Sequence, residues 1–466
     1  MKKLRLTLTC LMLAALCSCQ SGTALPSDTS SGSATVPDSR SADAFDGVYF
    51  EDGKFNILYL ASSHDLICAE EYTGDSMNDA IYERNLQVKD RLGVTIEYTA
   101  SQDNIEDPQK KIKNTVMADD DVYQMGIIHR VSGIAELVAN GCFYNYDKLP
   151  YVQLDTEYWN RGAMDTMSYH SNCYFGYNRL YPISTFCVYF NKSIAEENNF
   201  GSIYDLVYDG SWTIDTMSEL ASIAAKDLDG DGKFTRNDRF GLAMRNPTIL
   251  SGFYFSGGIS LSQNLGDHVE LSLYSEKMVD LFDKVYNLIS DDMVSYCRVS
   301  DDLTIRSGQI LFYLDSLDNA NGHRVSDVDF GLLPYPKYDE SQEEYISFAN
   351  PNLQCVPSSI KEPELVGAVI EFMASNSEGV KDAFYEKTLK GKVASDEDSA
   401  AMVDLMMSNY VVDFAANYCG FSDGCTKLYN VFSQLLTKNS NAFTSFYNTY
   451  AEKAQAEIDQ AFESLK

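Results

Sequence analysis

Phe55-Asn-Ile-Leu-Tyr-Leu60, a helix-forming run that stops at Gly93, and Val94-Thr-Ile-Glu-Tyr98 together decide the fold class. The first segment is a short apolar run of the kind that forms a buried strand. Ser76-x-x-Asp79 has the spacing of a capping box. Met77, Ile81, Val88 and Leu92 then recur on one helical face, and Gly93 ends the helix. Residues 94–98 alternate as a strand. Strand, helix, strand at this spacing predicts a βαβ unit with parallel strands, and so a layered α/β domain. A further helix is expected over residues 110–117 and a strand over 122–128.

The pattern continues downstream. Residues 183–190 are an apolar, β-rich run. Asp215 can cap a helix reaching residue 225, with Met217, Leu220, Ala221 and Ala224 facing inward. Residues 275–288 read as a helix and 309–314 as a strand. Pro363 opens another helix at a tolerated first-turn position, with Leu365, Val366, Val369, Ile370 and Met373 inward. Phe443, Tyr447, Tyr450, Ala454 and Ile458 mark a long amphipathic helix at the C-terminus.

One loop carries metal chemistry. Asp227-Leu-Asp-Gly-Asp-Gly-Lys-Phe-Thr-Arg-Asn-Asp238 has the D-x-D-x-D-G spacing of a calcium loop. Short Asp side chains on alternate residues, Asp227, Asp229 and Asp231, can converge on one hard cation. Gly232 permits the sharp turn, Lys233 would offer its carbonyl, and Asp238 would close the site. Position twelve is Asp where the longer Glu is usual, and the exit at Phe240 reads as a strand. The expectation is an EF-hand-like structural Ca²⁺ site, as distinct from a helix–loop–helix sensor.

Composition narrows the class. A chain of 466 residues can build two or three cores. A net charge of −32 disfavours nucleic acid, because counterion release would carry the wrong sign. Lys2, Lys3 and Arg5 followed by the short apolar run 6–16 read as a secretory signal over residues 1–18. Leu16-Cys17-Ser18-Cys19 resembles a bacterial lipobox, with Cys19 the lipidated residue. Residues 19–49, rich in Ser, Thr, Ala, Gly and Asp, are expected to be a disordered tether. Of the cysteines beyond the leader, Cys419 and Cys425 are the only obvious local pair.

Several stretches resemble one known family. Val188-Tyr-Phe-Asn-Lys-Ser193, with Glu196 and Glu197, is similar to the segment by which that family enters its second lobe. Gly210-Ser-Trp-Thr-Ile-Asp215 resembles its G-x-W-T-W-[DE] helix start, with Ile214 in place of the second Trp. Phe330-Gly-Leu-Leu-Pro-Tyr-Pro-Lys337, Cys355-Val-Pro357 and the Pro363 helix follow in the same order. The family is the extracellular solute-binding proteins of ABC importers, in the maltose-binding branch. The resemblance implies an α/β, two-lobed periplasmic-binding-protein-like fold of type II with a multi-segment hinge. Lobe one would be 50–185 plus 330–385, and lobe two 186–329 plus 386–466. It also implies a monomeric, lipid-anchored receptor on the outer face of the bacterial cytoplasmic membrane. That receptor would bind a small solute, expected to be an oligosaccharide, between its lobes and pass it to an ABC permease.

Ligand contacts in that family come from loops at strand ends. The corresponding candidates are Ser63, His64 and Asp65, then His129 and Arg130, then Asp315 and Ser316, with the aromatics Tyr158, Trp159 and Tyr254. Trp212 is expected to pack. The rival reading is a secreted, calcium-stabilised hydrolase of glycosidase type, which would need paired carboxylates across a cleft. The chain has no G-x-S-x-G or H-E-x-x-H motif, and its five His show no metal-ligand spacing.

Overall fold

Among its described residues, the computed structural model has thirteen strands. They are β1 (Gly53–Tyr59), β2 (Val94–Ala100), β3 (Met125–Ile128), β4 (Phe186–Asn191), β5 (Phe240–Met244), β6 (Ser262–Asn264) and β7 (Val269–Leu271). The rest are β8 (Ser295–Tyr296), β9 (Ile310–Ser316), β10 (Phe330–Leu333), β11 (Ser347–Phe348), β12 (Leu353–Cys355) and β13 (Tyr410–Val411). The structure describes residues 44–465 except 103, 131–132, 169–171, 182, 297–302, 324, 350–351, 390–396, 420–421 and 437. The expected signal segment, Cys19 and the tether up to residue 43 lie outside the described residues.

Two sheets organise the chain. The first has the order β12-β3-β1-β2, and the second β10-β4-β9-β5-β8. Both belong to one compact unit. In the first sheet β1 runs parallel to both β2 and β3, as the βαβ reading requires. Phe55, Ile57 and Leu58 are fully buried, which is why β1 reads as a continuous apolar run. The connecting helix spans Ser76–Leu92 and buries Met77, Ile81, Val88 and Leu92. Gly93 ends it in the left-handed conformation at φ 75°. Its cap lies one residue earlier than the capping box predicted. Asp75 accepts from the Met77 and Asn78 amides, while Asp79 reaches back to the Thr73 and Gly74 amides.

The second sheet is built by the same logic. Asn191 ends β4 and caps the helix Lys192–Glu197, accepting from the Ile194 amide at 3.1 Å. The helix Ile214–Ala224 is capped by Thr213 and not by Asp215, because the Thr213 hydroxyl reaches the Thr216 amide at 3.2 Å. Trp212 packs as expected: it is fully buried and its indole N–H donates to the Pro334 carbonyl at 2.9 Å. This helix lies so close to β5 that a Cβ on Gly241 would sit 2.1 Å from the Ala221 carbonyl oxygen.

Three segments run side by side between the sheets. Thr185 pairs with Ala349 in an antiparallel bridge. Ala349 donates to the Val411 carbonyl at 2.9 Å, and β11 pairs with β13 in parallel. The return crossing comes later than expected, because β10 is antiparallel to β4 within the second sheet. A Cβ at Gly331 would meet the Tyr204 hydroxyl at 2.1 Å, so β10 is seated tightly there. Residues 330–337 therefore belong with the second sheet, and the chain regains the first only at β12.

Two other boundaries shift. The helix Glu378–Leu389 packs on Ser76–Leu92 beside the first sheet, whereas Glu397–Ser408 packs on β10. The helix Phe414–Tyr418 touches both Ile134–Ala139 and β6, so the C-terminal helices are not confined to the second sheet. Residues 44–49, expected as part of the tether, pack against the fold. Phe45 is buried, with its ring 5.4 Å from that of Phe372 and 6.4 Å from that of Tyr151. A single aromatic in a polar stretch is enough to pin it where an apolar socket exists.

Candidate ligand site

Strand β3 stops at Ile128, and His129 and Arg130 follow it. Strand β5 stops at Met244, and Arg245, Asn246, Pro247 and Thr248 follow it. The first pair leaves one sheet and the second group leaves the other. His129, Arg130, Asn246 and Thr248 meet around a cavity of about 370 Å³. Asn246 turns the chain there by accepting from the Thr248 amide at 3.0 Å, which starts a short 3₁₀ turn at Pro247. Cavities at the carboxyl ends of strands are where open α/β sheets place ligands, since loops diverge there and leave a crevice.

The third wall is helical. Ala415, Ala416 and Cys419 come from the helix Phe414–Tyr418 and its end. Cys425, Thr426, Tyr429 and Asn430 come from the helix Asp423–Tyr429 and its end. Asp413 caps the first of these helices. Its carboxylate accepts from the Ala416 amide at 2.9 Å, from the Ser262 hydroxyl at 3.0 Å and from the Ser262 amide at 2.9 Å. Burial holds its pKa above the ordinary carboxylate value. The Cys419 thiol donates to the Glu457 carbonyl at 3.7 Å and the Cys425 thiol to the Ala454 carbonyl at 3.5 Å. The neighbouring Cys425, with burial, pushes the Cys419 thiol well up.

Arg130 joins these walls. It is 4% exposed. One terminal nitrogen donates to the Ala416 carbonyl at 2.6 Å, and the other to the Tyr429 hydroxyl at 3.3 Å. Its guanidinium carbon lies 5.4 Å from the centre of the Tyr429 ring, within cation–π range. His129 is part-buried. Burial, and then the charge on Arg130, lower its pKa from 6.5 to about 4, so the ring is neutral at physiological pH.

Of the residues expected from sequence, His129 and Arg130 line this cavity and the others do not. Tyr254 lies one layer behind, fully buried, its hydroxyl donating to the Tyr429 carbonyl at 3.4 Å. Asp315 is not on a loop, because β9 continues through Ser316. Its carboxylate is 2% exposed and holds Asn319 and His323 at 2.9 Å each, the Ser316 amide at 2.8 Å, and Arg245 at 3.6 Å. Ser63 accepts from Asn352 at 3.1 Å, His64 pairs with the Tyr59 hydroxyl at 2.8 Å, and Asp65 is exposed. Tyr158 and Trp159 are tied to the buried carboxylate of Glu371, at 2.6 and 2.9 Å. They line a separate cavity of about 570 Å³, together with Tyr181, Phe384 and Tyr410.

Sequence reasoning missed Asn246 and Thr248, although an Asn-Pro-Thr turn directly after an apolar strand was there to be used. It also missed Thr426, Tyr429 and Asn430, which carry no local signal at all.

The acidic loop lies apart from the cavity, between the helix Ile214–Ala224 and β5. Carboxylate oxygens of Asp227, Asp229 and Asp231 lie within 4.8 Å of one another. Gly230 and Gly232 are in the left-handed conformation, and the Gly230 and Gly232 amides bind the Asp227 carboxylate at 2.7 Å each. This convergence fits a hard cation at loop positions one, three and five. Asp238 lies outside the cluster. Its carboxylate accepts from the Thr235 amide at 2.8 Å and the Leu228 amide at 2.9 Å, contacts that hold its pKa below the ordinary value. It stitches the loop closed through backbone amides.

No family model and no curated protein matches the sequence. The fold does match solved structures. A cyclo/maltodextrin-binding protein complexed with maltotetraose superposes with a TM-score of 0.62 at 13% identity, over 88% of this chain and 97% of that one. UgpB from Mycobacterium tuberculosis, in complex with glycerophosphocholine, gives 0.59 at 14% identity, over 88% and 99%. The GacH receptor of Streptomyces glaucescens gives 0.56 at 13% identity, over 89% and 99%. The chain thus has the two-lobed α/β fold of type II solute-binding proteins.

Proposed function

We propose that this protein is the solute receptor of an ABC importer and that it binds a saccharide in the cavity between β3 and β5. The carrying observation is that cavity. Polar side chains from the ends of strands in two different sheets converge on one space of about 370 Å³. Three adjacent crossing segments connect the sheets, which is the architecture of hinge closure around a ligand. Similarity in fold to sugar-binding receptors supports a carbohydrate.

In this reading Cys19 carries the lipid, and residues 19–43 hold the receptor at the outer face of the bacterial membrane. The permease takes the solute from the closed form. Ca²⁺, held by Asp227, Asp229 and Asp231, braces the connection between the Trp212 helix and β5, away from the solute. Its contribution is structural. Among the described residues that line the cavity none is Asp or Glu, so the cavity lacks the paired carboxylates of a glycosidase.

The test is calorimetry of the full-length chain with a panel of neutral and acidic mono- and disaccharides, with chromatography of each mixture after incubation. Stoichiometric binding with unaltered sugar supports the receptor. Hydrolysis products, or no binding across the whole panel, would overturn it.

A further inference from the structure

We infer that the solute is anionic: a saccharide carrying a carboxylate, anchored by Arg130. This rests on the receptor reading above and names its substrate class.

The guanidinium of Arg130 is nearly inaccessible to solvent, yet among the described residues it forms no ion pair with any carboxylate. Buried charges are normally paired, because desolvation is otherwise uncompensated. Here the compensation is partial. The Ala416 carbonyl and the Tyr429 hydroxyl each take one proton, and the Nε–H is buried with no partner. A guanidinium offers five N–H groups in a planar fork, so a proton on each terminal nitrogen also remains. A planar carboxylate matches that fork, in length and in charge, better than a neutral hydroxyl does.

The surroundings point the same way. This chain has 68 acidic and 36 basic side chains, yet no acid lines the cavity among its described residues. Asp413, the cap of the wall helix Phe414–Tyr418, is turned to Ser262 and to its own helix amide. Glu457, behind Cys425, is held by the Gly424 and Cys425 amides at 3.0 and 2.9 Å. Arg245, next to Asn246 in sequence, is not among the lining residues and pairs with Asp315 at 3.6 Å. Asn246, Thr248, Thr426 and Asn430 are neutral groups suited to sugar hydroxyls. A volume of about 370 Å³ is in the range of a small-ligand pocket and suits one or two sugar rings. A site built for a neutral sugar would not need a buried, only partly compensated cation on its wall.

Calorimetry of the full-length chain distinguishes the cases with three probes: digalacturonate, its neutral counterpart galactobiose, and glucose 6-phosphate. Digalacturonate is expected to bind about 100-fold more tightly than galactobiose, and Arg130→Gln to abolish that preference. Arg130→Lys keeps the charge without the fork and should recover part of it. Melting temperature reports whether each variant folds. Tighter binding of galactobiose, or an acidic preference that survives in a folded Arg130→Gln, overturns the inference and leaves the receptor reading intact. Preference for glucose 6-phosphate overturns the carboxylate assignment. Failure of all three probes to bind overturns it as well, and the wider panel above then decides on the receptor.

Discussion

Thr185 and Ala349 pair in an antiparallel bridge where two crossing segments meet between the sheets. Each is tied on its other side: the Thr185 carbonyl accepts from the Leu317 amide at 2.9 Å, and the Ala349 amide donates to Val411 at 2.9 Å. Both residues are buried. In the proposed receptor, movement of one lobe relative to the other would bend this narrow ladder, and its hydrogen bonds would resist that movement.

Ala349→Pro removes the donor to Val411 and leaves that carbonyl without its partner. The expected loss of stability is about 1–3 kcal/mol, read from urea unfolding. Ala349→Gly keeps the N–H and should lose less. Equal midpoints for the two variants would show that the bond to Val411 does not hold the hinge.

The carboxylate of Glu371 is 1% exposed and receives the Tyr158 hydroxyl at 2.6 Å, the Trp159 indole N–H at 2.9 Å and the Gln153 amide at 3.2 Å. Glu371→Ala strands all three donors and should destabilise the chain by about 3 kcal/mol or more. Its effect on saccharide affinity in the folded fraction should be small, because these aromatics line a different cavity. Strong loss of affinity at unchanged stability would place Tyr158 and Trp159 in the ligand site after all.

His129 contributes a pH dependence of definite sign. Its folded pKa, about 4, lies below the ordinary 6.5. The unfolded chain therefore binds this proton more readily. The stability that His129 confers is complete above 6.5 and is lost as pH falls from there towards 4. His129→Gln should flatten that part of the profile, by at most about 1.4 kcal/mol per pH unit. Urea midpoints measured across this interval for both proteins decide it: parallel profiles would refute the buried, neutral imidazole.

Calcium should raise the melting temperature through Asp227, Asp229 and Asp231, whose oxygens converge within 4.8 Å. Replacing Asp227 and Asp229 by Ala should remove roughly 2–5 °C of calcium-dependent protection. Saccharide binding should persist, since the loop is remote from the cavity. A native chain that melts identically in calcium and in chelator would rule the metal out.

Local signals and folded contacts account for different parts of this molecule. The βαβ unit was legible because burial leaves a periodic trace: Met77, Ile81, Val88 and Leu92 recur at helical spacing and all end inside. Boundaries were less legible. Ser76 and Asp215 lie beside the true caps, Asp75 and Thr213, because capping depends on which side chain reaches an amide. The loop acids at 227, 229 and 231 were legible for the same local reason, since alternate residues converge within one turn. The cavity was half legible. His129 and Arg130 end a strand, so their position followed from β3. Tyr158, Trp159, Asp315 and Tyr254 were plausible by residue type, but each is held in a polar or aromatic cluster that only the packing reveals.

By itself, the sequence determined the strands and helices and the acidic loop, because those depend on neighbours a few residues apart. Tertiary structure alone decided that residue 130 meets residues 416 and 429, and that among the described residues no acid pairs with the cation there. That outcome depends on where nearly 300 intervening residues carry the chain, and no local pattern encodes such a distance.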